Sequence, residues 1–151
     1  MQGGGAEYVA SLLSNYWVRK GHEVYLLATF SRRGKCIYHL DSRVRLNFLA
    51  DFLKTTKNSI ITMLRRFLKL RQIIKSYQPD AVVSFHPQVN IAAILATRGL
   101  GLRTVVVAER TYPPAIVIGR IWVILRRLLY SHATQVVMQT EQGLKWLEKE
   151  S

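Results

Sequence analysis

Acidic residues are scarce in this 151-residue chain. Nine Asp and Glu stand against 22 Lys and Arg, a net charge of +13. Such an imbalance favours anionic partners, whether nucleic acid, anionic lipid or phosphate-bearing substrates, and by itself does not choose among them. Cysteine is nearly absent. The single thiol, Cys36, excludes an intrachain disulfide and any local metal site built on cysteines, and fits a reducing compartment. The four histidines, His22, His39, His86 and His132, lack the spacing of a local metal clamp. No long hydrophobic run is present either. The best apolar stretch, residues 115–125, is interrupted by Gly119 and Arg120 and is too short to span a bilayer. The first residues are glycine-rich and carry Glu7 instead of a basic stretch followed by an apolar one, so no secretory leader is expected. Repeats and low-complexity linkers are also missing.

What is there is enough apolar material for one core. The hydrophobic fraction of 49% argues against disorder, and the length suits one domain. Along the chain, helical and strand patterns alternate. Residues 6–20 read as a helix, with Val9, Leu12, Leu13, Tyr16 and Trp17 at helical spacing and Gly21 as its stop. Strands are expected at 23–29, 36–40 and 44–48, the first an apolar run suited to a buried parallel strand. A long helix is expected at 57–77, with Met63, Phe67, Leu70, Ile74 and Tyr77 in one stripe and Arg65, Arg66 and Lys69 on the opposite face. Strand, helix and strand follow at 81–85, 89–97 and 104–108. A helix then runs from Pro114 to about Tyr130, with a strand at 135–138 and a helix at 141–149. This order predicts an α/β fold, a doubly wound parallel sheet. Ligands of such sheets sit at the carboxyl ends of the strands. The informative positions are therefore Phe30, residues 86–90, 109–113 and 139–141.

Small residues opening a helix let backbone amides approach a phosphate, and the helix dipole favours the anion; Gly3, Gly4 and Gly5 stand at such a place. Five short motifs occur in order: Gly4-Gly5-Ala6-Glu7-Tyr8-Val9, Lys20-Gly21-His22-Glu23-Val24, Ser84-Phe85 with Asn90, Glu109-Arg110 with Pro113, and Gln139-Thr140-Glu141. That succession resembles the family 4 retaining glycosyltransferases of the GT-B fold, and most of all those that extend lipid-linked oligosaccharides for surface glycans or glycoproteins.

The resemblance implies that residues 1–151 are a Rossmann-like, acceptor-side N-terminal domain lacking its first strand. Its C-terminal donor-binding domain, with an E-x7-E pattern, is then expected outside the chain, which alone would be inactive. It implies a nucleotide-sugar donor, a lipid-linked saccharide acceptor and no metal or other cofactor. Gly3, Gly4 and Gly5 then lie near the departing diphosphate, where amides stabilise developing charge. The family commonly has Arg where this chain has Tyr8.

His86 follows a strand and is the candidate catalytic residue, within reach of the donor sugar or acceptor hydroxyl. Arg110 suits a phosphate clamp, and Glu109 would orient it, bind a sugar hydroxyl or form a bracing ion pair. Asn90, Glu109, Gln139 and Thr140 are candidate cleft residues on the acceptor side. Asn90 and Thr140 have rival roles as helix caps.

Arg65, Arg66 and Lys69 form a candidate membrane-facing basic face, in a span with no acid between Asp51 and Asp80. A second acid-free span runs between Glu109 and Glu141. Together these predict a cytoplasmic protein lying peripherally on the inner face of the plasma membrane. Nucleic acid is not expected as a partner, since no RNP-like motif or zinc finger is present and strands separate the helices. The alternatives are a non-catalytic remnant or split-enzyme subunit, and a basic nucleotide- or nucleic-acid-binding module.

Overall fold

The computed structural model describes residues 4–29, 37–52, 60–111 and 118–150, and the chain divides into two compact units, residues 1–69 and 70–151. Phe30, Cys36 and residues 112–117 lie outside the described residues, as does Gly3.

The first unit opens with α1, Gly5–Arg19. Its buried residues are Ala10, Ser11, Ser14, Asn15 and Val18, a face of mostly small side chains, while Leu12 and Tyr16 are exposed. The helix ends in a left-handed glycine. Gly21 has φ of +88°, its N–H donates to Val18 O, and the His22 N–H reaches back to Trp17 O. Those two bonds satisfy carbonyls that the last helical turn leaves open, and a residue with a Cβ is strained in that conformation. Strand β1, Tyr25–Ala28, pairs in parallel with β2, Arg45–Phe48, with Tyr25 opposite Arg45 and Ala28 opposite Phe48.

No strand forms over residues 37–40, contrary to expectation. The physical reason lies in Asn15. Its amide donates to His39 O at 2.9 Å and accepts from Asp41 N–H at 2.8 Å, so those backbone groups pair with a side chain instead of a ladder. Asp41 is clasped by Arg43 through three bonds of 2.9–3.1 Å, which hold its carboxyl well below the usual carboxylate range.

Helix α2, Ile60–Tyr77, follows. Its buried residues include Thr62, Leu70, Ile73 and Ile74. The expected stripe is rotated: Met63 and Tyr77 are exposed, together with Ile61, Leu64 and Leu68. Arg65 is exposed as expected, whereas Arg66 and Lys69 are half-buried. The helical period was legible, but which arc of an evenly apolar helix faces inward depends on what packs against it.

The second unit is a three-stranded parallel sheet in the order β3 (Ala81–Phe85), β4 (Thr104–Glu109), β5 (Gln135–Met138). Phe85 pairs with Ala108, and Glu109 with Met138. Helix α3, Pro87–Thr97, links β3 to β4. Helix α4, Arg120–Leu129, a 3-10 turn at Tyr130–His132 and then β5 lead to α5, Glu141–Glu150. Ile91 and Ile94 of α3, Val105 and Val107 of β4, and Leu129 and Tyr130 form the core. Arg71 closes the end of α3, donating from Nη1 to Ala96 O and Arg98 O, both at 2.8 Å. The expected helix from Pro114 begins, within the described residues, only at Arg120, with Gly119 as its N-cap. The parallel sheets and interleaved helices are the Rossmann-like α/β architecture expected of a glycosyltransferase half-domain.

Candidate functional site

In the second unit, the carboxyl ends of three adjacent parallel strands bring candidate residues to one edge. His86 follows β3, Glu109 ends β4 and Arg110 follows it, and Gln139 and Thr140 follow β5.

His86 is exposed and has φ of +90°, one of two non-glycine residues in positive-φ conformation among the described residues. Its Nδ1 lies 2.7 Å from Gln88 Oε1, and its carbonyl accepts the Asn90 N–H at 2.8 Å as the N-cap of α3. Strained backbone of this kind costs about 1–3 kcal/mol and persists where the surroundings impose it. Replacing His86 with Gly is therefore expected to raise stability by about 0.5–1 kcal/mol, read as a higher urea midpoint; an unchanged or lower midpoint would show that the conformation carries no strain.

Asn90 is inside α3, not at its start, so it is no helix cap. It is fully buried, at 0% exposure, and is the second link in a chain of donors that starts at Ser84. Ser84 Oγ donates to Asn90 Oδ1 at 2.8 Å. Asn90 Nδ2 donates to Ala108 O at 3.1 Å and to Tyr130 Oη at 3.0 Å. Tyr130 Oη donates to Glu109 Oε1 in a very short bond. Every link runs in one direction, so each polarises the next. The network locks the ends of β3 and β4 to the turn after α4.

Glu109 is 1% exposed and its other oxygen, Oε2, has no partner among the described residues. Burial pushes its pKa up; the Tyr130 hydroxyl, the nearby Arg126 cation and His86 only partly offset that. Burial likewise raises the Tyr130 phenol, with the Glu109 charge adding to the effect. Arg126 is itself buried, its guanidinium 4.6 Å from the Trp146 ring centre.

Glu109 and Arg110 form no ion pair among the described residues. Successive side chains along a strand project to opposite faces, and each finds a different partner. Arg110 turns to Gln139: with the amide oriented to satisfy both groups, Gln139 Oε1 accepts from Arg110 Nη2 at 2.8 Å, and its amide nitrogen donates to Arg110 O. Arg110 Nε is buried without a partner among the described residues. A buried N–H of a guanidinium without an acceptor is costly, and an anionic oxygen is the acceptor it suits best. Thr140 caps α5, its Oγ1 accepting the Gly143 N–H at 3.1 Å.

Gly4 and Gly5 open α1 in the first unit. Gly4 is the N-cap, without a side-chain cap, and a Cβ there would collide with the Glu7 carboxylate folded back on it. The Tyr8 ring, at the position where arginine is common, packs on Tyr38 at 5.3 Å between centroids. Tyr130 and Arg126 were not singled out from sequence. Their nearest signal was the four-residue spacing that puts both on one side of the α4 turn.

The chain belongs to the glycosyl transferase 4-like domain family, whose profile matches residues 3–149. It is 30% identical over 131 residues to the Campylobacter jejuni enzyme GalNAc-alpha-(1->4)-GalNAc-alpha-(1->3)-diNAcBac-PP-undecaprenol alpha-1,4-N-acetyl-D-galactosaminyltransferase. That alignment covers 86% of this chain and 35% of the relative's length. Among the described residues, no helix is long and apolar enough to cross a membrane.

Proposed function

We propose that the protein carrying this domain transfers a hexose or N-acetylhexosamine from a UDP- or GDP-sugar to a lipid-linked saccharide, with retention at the anomeric carbon. The donor would be held between this domain and a GT-B partner domain outside these 151 residues. In the step, an acceptor hydroxyl oxygen bonds to the anomeric carbon while the bond from that carbon to the diphosphate breaks. The nucleoside diphosphate leaves with the bonding electrons, and the hydroxyl proton passes to it or to solvent.

The observation carrying this reading is the buried, unpartnered Nε of Arg110, aligned by Gln139 at a strand's carboxyl end next to His86. A fixed cation there meets the charge that builds on the departing diphosphate. His86 would contact the donor sugar or acceptor hydroxyl. On the family resemblance, Gly3, Gly4 and Gly5 would be phosphate-proximal residues. Asn90 and Glu109 support the site from inside, and Gln139 orients Arg110. Arg65, Arg66 and Lys69 would draw the protein toward anionic headgroups, and it would then lie peripherally on the cytoplasmic face. The lipid-linked acceptor is the class named for the Campylobacter jejuni relative.

The test is a transfer assay with a panel of UDP- and GDP-sugars and a polyprenyl-diphosphate saccharide. The expected result is one released nucleoside diphosphate per sugar added, with the anomeric configuration of the donor kept in the NMR spectrum of the product. An inverted product would overturn the mechanism. Failure with every donor, by a protein that includes its donor domain, would overturn the function.

A further inference from the structure

Helix α4 is apolar over a wider arc than the core covers. Its inner face holds Trp122, Leu125 and Leu129 against the core, and also buries Arg126 over the Trp146 ring. Its outer face carries Ile121, Ile124 and Leu128, which are 71%, 56% and 62% exposed. The spacing i, i+3, i+7 places these three in one stripe. Arg120 and Arg127, both exposed, border it. A surface helix facing only water carries polar residues at such positions.

We infer that the outer face of α4 is a membrane-docking surface, seating Ile121, Ile124 and Leu128 among acyl chains of an anionic bilayer with Arg120 and Arg127 at the headgroup phosphates. Charge selects this occupant. No acidic residue occurs between Glu109 and Glu141, so nothing on α4 or its flanks repels an anionic surface. A second copy of this chain is disfavoured, because pairing two such faces would set arginine rims and two charges of +13 against each other. Aliphatic side chains flanked by guanidinium groups match a helix lying in the plane of a bilayer interface. The inference rests on the functional reading above only for its purpose, namely why the protein would meet a bilayer where a lipid-linked acceptor resides.

The experiment is co-sedimentation of the purified full chain with vesicles of phosphatidylcholine, with and without phosphatidylglycerol. Binding is expected only to the anionic vesicles and should weaken with added salt. Ile124→Glu is expected to lower the partition coefficient more than about tenfold, and Arg120→Gln about fivefold. Arg103→Gln, an exposed arginine elsewhere in the same unit, should change it less than about twofold. Unchanged thermal transitions in these variants confirm folding.

Equal losses for Arg120→Gln and Arg103→Gln, with none for Ile124→Glu, would overturn the inference in favour of diffuse charge attraction. So would concentration-dependent dimers abolished by Ile124→Glu in a chain that ignores vesicles. Transfer to a detergent-dispersed acceptor, measured with the same substitutions in a protein that includes its donor domain, separates the two readings. If Ile124→Glu leaves vesicles but still transfers sugar, both stand. If it transfers sugar and binds vesicles like the unaltered protein, only the docking surface falls. If the unaltered protein binds vesicles through α4 yet transfers nothing, only the function falls.

Discussion

Arg110→Ala is expected to lower kcat for sugar transfer about a hundredfold, with a smaller change in KM for the donor. The expectation follows from how the side chain is held. Gln139 fixes one end of the guanidinium through Nη2 and also binds the Arg110 carbonyl, so the group is oriented before any ligand arrives. Its Nε is buried and unpartnered among the described residues. A donor fixed in this way loses little entropy when charge develops opposite it, and it gains most when the leaving diphosphate takes the bonding electrons. Arg110→Lys should recover only a small part of the loss, because an ammonium keeps the charge but not the fork. Gln139→Ala should fall between, since it frees the guanidinium without removing it. A rise in KM alone, with kcat unchanged, would mean that Arg110 serves ground-state binding and does not meet the developing charge.

The same pair shows what a sequence discloses and what it withholds. That Arg110 and Gln139 stand at strand ends was legible, because apolar runs such as TVVVA and QVVM are each followed by polar residues. That they touch depends on register, with Glu109 opposite Met138, and register is a property of two strands together. For Asn90, a cleft candidate, the rival role of helix cap arises when the helix is counted from residue 89; with α3 starting at Pro87, Asn90 falls one turn inside and bonds Tyr130. Residues 37–40 read as a strand because their alternation is strand-like, while the competing offer from Asn15 comes from 24 residues earlier in the chain. In α2 and α4 the difficulty is of another kind. Both helices are apolar on more than one side, so the period gives the element but not its inner face. Arg126 is the sharpest case, a charge on the inside of α4 while aliphatic residues stand outside. Among the described residues, the ring of Trp146 and the carboxyl of Glu109, brought near by the fold, make that placement tolerable.

Glu109 gives the largest effect expected on stability, and its sign changes with the substitution. Glu109→Ala removes the acceptor of the Tyr130 hydroxyl and leaves a gap in a closely packed region, a loss of about 2–4 kcal/mol. Glu109→Gln keeps an oxygen for Tyr130 and removes only the ionisation. Burial raises the folded-state pKa of Glu109 above its ordinary value of 4.5, so the native protein holds this proton more tightly than the unfolded chain does. Its contribution is therefore complete below pH 4.5 and is lost as pH rises through the elevated folded value. Below that window the Gln variant and the unaltered protein should have urea midpoints corresponding to stabilities within about 0.5 kcal/mol. Above it the Gln variant should be the more stable, because it has no charge to desolvate. Tyr130→Phe should behave differently, costing about 1–3 kcal/mol at every pH below the phenol's own titration, since Asn90 and Glu109 both lose their common partner. Parallel stability curves for Glu109→Gln and the unaltered protein between pH 4 and 8 would show that folding leaves the carboxyl's pKa at its ordinary value, with burial fully offset. Arg126 would then have to be its counter-charge, and Arg126→Met should destabilise the protein as strongly as Glu109→Ala.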